Sequence, residues 1–118
     1  MEHLNRAGRW ATLLAFVAIA YLAVQPSNIT LVDDFNDKSK HILAFFVLTV
    51  GLLRYWRLSW ASTALALLAF GVGIEVVQSF IPGRTATPWD LVANCLGFAL
   101  GWAFFEVLAR ADRYKPAQ

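Results

Sequence analysis

Long apolar segments, separated by short polar turns, are the main pattern along the chain. No Lys, Arg, Asp or Glu occurs from Trp10 to Val32, and Glu75 is the only charged residue from Leu58 to Ile81. Apolar windows of about 20 residues have the length of a helix that crosses the hydrocarbon core of a bilayer. The pattern predicts helices at about residues 7–24, 37–54, 58–81 and 88–109.

The second of these helices is the least regular. Its uncharged part, residues 42–53, is too short to cross a membrane. Extended from Asp37 to Arg54 it reaches about 27 Å at 1.5 Å per residue, which is just enough. We therefore predict an all-α fold, an integral membrane four-helix bundle that occupies residues 1–118 as one domain.

Composition and charge agree with this fold. The 118 residues are 58% hydrophobic and 15% charged, with a mean hydropathy of +0.54, which leaves no room for a separate soluble domain. The basic residues fall between the apolar segments rather than along one face, so no nucleic-acid partner is predicted. Cys95 is the only cysteine, so an intrachain disulfide is excluded.

The basic residues also predict an orientation. Alternating spans place seven of them on the side of the two termini and three on the other side. By the positive-inside rule, both termini are cytoplasmic. The seven are Arg6, Arg9, Arg54, Arg57, Arg110, Arg113 and Lys115, and the three are Lys38, Lys40 and Arg84.

Polar residues recur at helical spacing within the apolar segments. A charge in the middle of a membrane helix costs roughly 2.5–3.5 kcal/mol on insertion scales, so such residues suggest function. We expect three stripes to face inward and their polar ends to meet in a pocket near the outer surface. The stripes are Asp37, His41, Phe45, Leu48 and Leu52; Ala64, Leu68, Gly71, Glu75 and Gln78; and Asp90, Asn94, Gly97 and Gly101.

Chemistry assigns roles within this pocket. His41 is the candidate general acid or base, oriented by Glu75 or Asp90, and these three form the predicted catalytic set. Arg84 and Lys38 suit a phosphate or carboxylate. The predicted substrate-binding set is Asp37, Lys38, Gln78, Arg84 and Asn94. No HxxxH or HExxH spacing supports a divalent ion on the catalytic set, so no metal is predicted and no cofactor is identified.

Purely structural roles compete with these assignments. Thr87, Pro88 and Asp90 resemble a helix-capping sequence, and Asp37 suits the positive end of a helix. Asn94 and Gln78 suit hydrogen bonds between helices, and the glycines suit close helix packing.

Three motifs occur in a fixed order over about residues 37–101. They are Asp37-Lys38-x-x-His41-x-x-x-Phe45, Glu75-x-x-Gln78-x-Phe80-x-Pro82-Gly83-Arg84, and Asp90-x-x-x-Asn94-x-x-Gly97-x-x-x-Gly101. Together they resemble the VanZ-like family of bacterial membrane proteins. The resemblance implies a multi-pass protein of the bacterial cytoplasmic (inner) membrane. The family's namesake is associated with resistance to the glycopeptide teicoplanin, while the biochemical activity of the family is not established.

Two functions fit these observations. The first is an outward-facing membrane enzyme that acts on an envelope lipid or a lipid-linked cell-wall precursor. The alternative is a non-catalytic binding or accessory protein that recognises such a lipid, a lipidated antibiotic or a partner protein with the same pocket. A proton-coupled transporter that uses Glu75 is disfavoured unless the protein forms oligomers, because one chain has four short spans and no broken helices. The sequence predicts no oligomeric state.

Overall fold

The computed structural model describes residues 2–25, 31–82 and 88–114, and for residues 31–37 it describes the backbone alone. Within these ranges the chain forms four helices and no strands, as the all-α prediction requires. They are α1 (Glu2–Ala23), α2 (Leu31–Arg54), α3 (Trp60–Gln78) and α4 (Pro88–Arg113).

The helices differ from the predicted bounds mainly at their ends. The first and last run further into the polar termini, and α2 begins at Leu31 instead of Asp37, so part of the predicted loop is helical. Between α2 and α3, Arg57 adopts a left-handed conformation with φ of 53°. Ser59 then caps α3, where its hydroxyl accepts a hydrogen bond from the Ser62 N–H at 3.1 Å.

The second helix is the centre of the fold. It contacts each of the other three helices and makes its most extensive contact with α4. Phe45, Leu48 and Leu52 are buried along its inner face. On α4, Gly97 and Gly101 are buried against it, and a β-carbon at Gly97 would lie 2.5 Å from the carbonyl oxygen of Ile42. The inward stripes predicted for the second and fourth helices are confirmed at these positions.

The stripe predicted for the third helix is wrong in part. Gly71 and Gln78 are buried as expected, but Leu68 is 56% exposed and Leu67 is buried in its place. The buried face of α3 consists of Thr63, Leu67, Gly71, Ile74 and Gln78. This helix is apolar on every side, so hydrophobic periodicity could not distinguish one leucine from its neighbour.

Two helices of the described ranges, Trp60–Gln78 and Pro88–Arg113, are long and apolar enough to cross a membrane. Large apolar side chains cover much of their outer surface, among them Leu65, Val76, Leu96 and Leu100. An apolar exterior of this kind is typical of helices that face lipid.

Candidate ligand-binding site

A hydrogen bond between α2 and α4 lies at the centre of the candidate site. His41 Nδ1 and Asn94 Oδ1 are 2.9 Å apart. His41 is partly buried and Asn94 is only 6% exposed. His41 lies one turn before Phe45 on the buried face of α2, and Asn94 lies one turn before Gly97 on the buried face of α4. The close packing of these helices therefore brings the two side chains together.

This hydrogen bond indicates which ring nitrogen of His41 carries a proton. An amide oxygen can only accept, so with the amide in this orientation His41 Nδ1 carries the proton and donates it. In the neutral ring, Nε2 is then the basic nitrogen. The orienting role that the sequence suggested for Glu75 or Asp90 is filled at Nδ1 by Asn94, an uncharged partner.

His41 lines a cavity of about 380 Å³ between α1, α2 and α3, which we call the histidine cavity. This volume lies within the range of about 300–1,000 Å³ that is usual for small-molecule sites. Its wall is largely apolar, and its polar side chains come from four residues. The lining residues are Ile19, Leu22, Ala23, Gln25, Lys40, His41, Ala44, Phe45, Ile74 and Gln78.

A second cavity of about 220 Å³ lies between α2, α3 and α4, and we call it the apolar cavity. Asn94 lines it, and Phe45 forms a wall of both cavities. At this level α3 approaches its neighbours most closely through Gly71, where a β-carbon would lie 2.9 Å from Asn94 Nδ2 and 3.4 Å from Phe45 Cζ. Gly71 therefore leaves room for the amide that holds His41.

Gln78 closes one end of the histidine cavity. It is 3% exposed, and its Nε2 donates a hydrogen bond of 2.8 Å to the carbonyl oxygen of Ala23, the last residue of α1. That carbonyl belongs to the last turn of a helix, where it has no partner within the helix. The bond ties the end of α3 to the end of α1, while the Gln78 side chain also faces the cavity.

The two predicted catalytic carboxylates lie near this centre but line neither cavity. Glu75 is partly buried, with Oε1 inaccessible, one turn beyond Gly71 on α3. Asp90 is 3% exposed in the first turn of α4, one turn before Asn94. Lys38 is partly buried on α2, one turn before His41. Arg84 and the side chain of Asp37 lie outside the described residues, so their predicted roles stay predictions.

The structure thus brings His41 and Asn94 into contact, and it places His41 and Gln78 on one cavity. Among the side chains that the structure describes, those of residues 2–25, 38–82 and 88–114, no three His, Cys, Asp or Glu are grouped closely enough to hold a metal ion.

Helix α1 is the part of the site that the sequence did not reveal. It supplies Ile19, Leu22 and Ala23 to the histidine cavity, and Gln25 follows it. Its apolar residues show no feature that marks one face as a binding surface. Lys40, to which the sequence assigned no role in the pocket, also lines the cavity. The only sequence signal for Leu22, Ala23 and Gln25 is that they precede the polar segment in front of the His41 motif.

Comparison with known proteins identifies the family of the chain. A family model described as VanZ/LLP1 matches residues 3–109. An uncharacterized protein of the fission yeast Schizosaccharomyces pombe, C11E3.10, is 38% identical over 110 residues. The alignment covers 84% of this chain and 65% of the relative, so the chain spans just under two thirds of that protein. No solved structure matches the chain.

Proposed function

The chain belongs to the VanZ/LLP1 family, and we propose that it is a multi-pass membrane protein whose histidine cavity binds an amphipathic envelope lipid or a lipid-linked cell-wall precursor. The observation that carries the proposal is the cavity itself. It combines an apolar wall with His41, Lys40, Gln25 and Gln78. Hydrocarbon suits that wall, and the four polar side chains suit a headgroup with charged or hydrogen-bonding oxygens.

The proposal places all four helices across the membrane, with both termini in the cytoplasm. Two helices meet the length and hydropathy of a span, and α1 and α2 pack beside them. Arg9, Arg54 and the aromatic pair Trp60 and Trp102, stacked at 5.7 Å, lie towards the opposite end from His41. Aromatic residues are typical of either interface, and the basic residues at that end favour the cytoplasmic one, so the proposal assigns the histidine cavity to the extracytoplasmic leaflet.

The fission-yeast relative bears on location, since it shows that the family is not confined to bacteria. We therefore propose that the histidine cavity lies in the extracytoplasmic leaflet of a membrane, without restricting that membrane to the bacterial inner membrane. A raised teicoplanin tolerance is expected only in cells where the bound lipid is a cell-wall precursor. Growth of such cells at increasing teicoplanin concentrations, with and without the protein, measures this tolerance.

The direct test is lipid binding by the purified protein. We expect mass spectrometry of the protein, extracted in mild detergent, to detect a bound lipid that His41→Ala loses. His3→Ala is the matched control, because His3 is the other histidine of the chain and is exposed at the start of α1. Equal lipid retention by both variants at normal abundance would remove His41 from the site.

A second candidate, an enzyme that uses His41 as acid or base, is favoured by the His41–Asn94 hydrogen bond. A bond at Nδ1 holds Nε2 as the basic nitrogen in the neutral ring, an arrangement that suits proton transfer. Catalysis predicts that the bound lipid is converted to a product of different mass, and that His41→Ala binds less lipid and forms no product. Recovery of unchanged lipid after prolonged incubation would leave binding as the function.

A further inference from the structure

A cluster of arginine and aromatic side chains lies at the end of the bundle far from the histidine cavity. Arg9 of α1 donates through Nε to the carbonyl oxygen of Tyr55 at 3.0 Å, and its guanidinium lies 5.4 Å from the ring centroid of Trp56. The guanidinium of Arg54 lies 5.4 Å from the ring centroid of Tyr55. We call these four residues the arginine corner.

The corner is held in place by the backbone of α1. The ring of Tyr55 lies directly against Gly8, so closely that no β-carbon fits there. The carbonyl oxygen of Tyr55 accepts the hydrogen bond from Arg9, and the ring of Tyr55 contacts the guanidinium of Arg54. Two like charges from two helices are therefore held against one residue, although they repel each other.

Within the described residues, no acidic side chain neutralises the charge of this corner. In the described parts of the chain, no Asp or Glu forms an ion pair with Arg9 or Arg54. The indole N–H of Trp56 is buried and has no acceptor there. Buried indole donors usually have a partner. The corner thus combines two exposed guanidinium groups with a donor that the described protein leaves unsatisfied.

We propose that the arginine corner binds the phosphate of an anionic membrane lipid. Guanidinium groups pair with phosphate oxygens through two parallel hydrogen bonds. Basic pockets between membrane helices on the cytoplasmic side are where anionic headgroups bind. The Trp56 ring lies beneath the Arg9 guanidinium, so the site also contains an indole N–H that has no acceptor among the described residues. The inference rests on the membrane orientation proposed above, but the site is separate from the histidine cavity and does not depend on its ligand.

The test compares lipids on the full-length protein in detergent. Thermal unfolding is followed while phosphatidylglycerol, phosphatidylcholine or inorganic phosphate is added. We expect phosphatidylglycerol to raise the midpoint and the other two to leave it unchanged. Arg9→Gln and Arg54→Gln should each weaken the phosphatidylglycerol effect at least tenfold in concentration. Arg113→Gln is the matched control, because it removes the same charge from an exposed position at the end of α4.

Three results would overturn the proposal. Equal weakening by all three variants would indicate general surface charge. Equal stabilisation by phosphatidylcholine, which has the same phosphate but no net charge, would show that the corner does not select an anionic lipid, and equal stabilisation by inorganic phosphate would identify a soluble ligand. If Arg9→Gln does not fold, the test uses Arg54→Gln alone. The Arg54 side chain contacts the Tyr55 ring and makes no hydrogen bond to the described backbone, so its removal should not prevent folding. Lipid retention in the histidine cavity should be unchanged in Arg54→Gln.

Discussion

The contact between α2 and α4 and the contact between α2 and α3 are built in opposite ways. On α4, two glycines press against the backbone of α2, and a β-carbon at Gly101 would lie 2.7 Å from Thr49 Cβ. On α3, Gly71 is in close contact and Gly73 is not, and the histidine and apolar cavities share Phe45 of α2 as a wall. Close packing holds the first pair together, whereas both cavities lie beside α3.

This difference explains why His41 and Asn94 stand where they do. Both belong to the tightly packed pair, so their hydrogen bond is held by a rigid contact. On the histidine cavity, His41 is joined by Ile74 and Gln78, which come from the less tightly packed α3. A preorganised polar centre with an adjustable apolar wall suits a ligand that has a defined headgroup and a flexible chain.

The strongest way to break the α2–α4 contact is Gly97→Leu. Its side chain would meet the backbone of α2 at Ile42, which cannot move aside, so we expect a loss of about 3 kcal/mol in the free energy of unfolding. Chemical denaturation in bicelles measures it. Gly73→Leu is the control, because a β-carbon at Gly73 meets nothing within 4 Å. That variant should be as stable as the wild type or slightly more stable, and equal losses in both would refute the distinction.

Two alanines compare the packed region with the cavity. Ala93 on α4 is 4% exposed and lines neither cavity, whereas Ala44 on α2 lines the histidine cavity. Ala93→Leu should reduce the free energy of unfolding by about 2 kcal/mol through overpacking. Ala44→Leu should leave stability nearly unchanged and abolish lipid binding, because the new side chain occupies the empty volume. The reverse pattern would show that the cavity is not a binding space.

Gly71→Ala tests the position where α3 approaches Asn94. The added methyl group would press on the Asn94 amide at 2.9 Å and displace the partner of His41. We expect lipid affinity to fall about tenfold, or about 1.4 kcal/mol, with a smaller loss of stability than Gly97→Leu causes. Gly73→Ala on the same helix should bind lipid as the wild type does. Unchanged affinity in Gly71→Ala would mean that the amide does not position His41.

The sequence predicted much of this arrangement because the signals were chemical. Helices were readable from long apolar segments, and the inward faces of α2 and α4 from His41, Asn94 and the glycines at helical spacing. The VanZ/LLP1 family followed from the same motifs. His41 and Asn94 were both named, although the bond between them was not, because helical spacing gives the face of each residue but not its level against another helix.

The features that could not be predicted from the sequence lie in uniformly apolar segments. Helix α3 is apolar on all sides, so the prediction placed Leu68 inside where Leu67 is buried. Helix α1 has no polar residue that marks the face towards the histidine cavity, and its contribution of Ile19 and Leu22 appears only in the packing. Burial in such segments is decided by shape, which periodicity does not encode.

Gln78→Leu tests how α1 is held against the histidine cavity, and its effect should be the smallest. It removes the 2.8 Å hydrogen bond to the Ala23 carbonyl but keeps a side chain of similar volume at the buried position. Hydrogen bonds between membrane helices contribute about 0.6 kcal/mol on average, so we expect a loss of that order in the free energy of unfolding. The control is Ser79→Ala, whose hydroxyl bonds only to Val76 of its own helix at an exposed position. If Gln78→Leu is no less stable than this control while lipid affinity falls, Gln78 acts through the ligand. If the free energy of unfolding falls and lipid affinity does not, Gln78 acts by holding the end of α1 against α3.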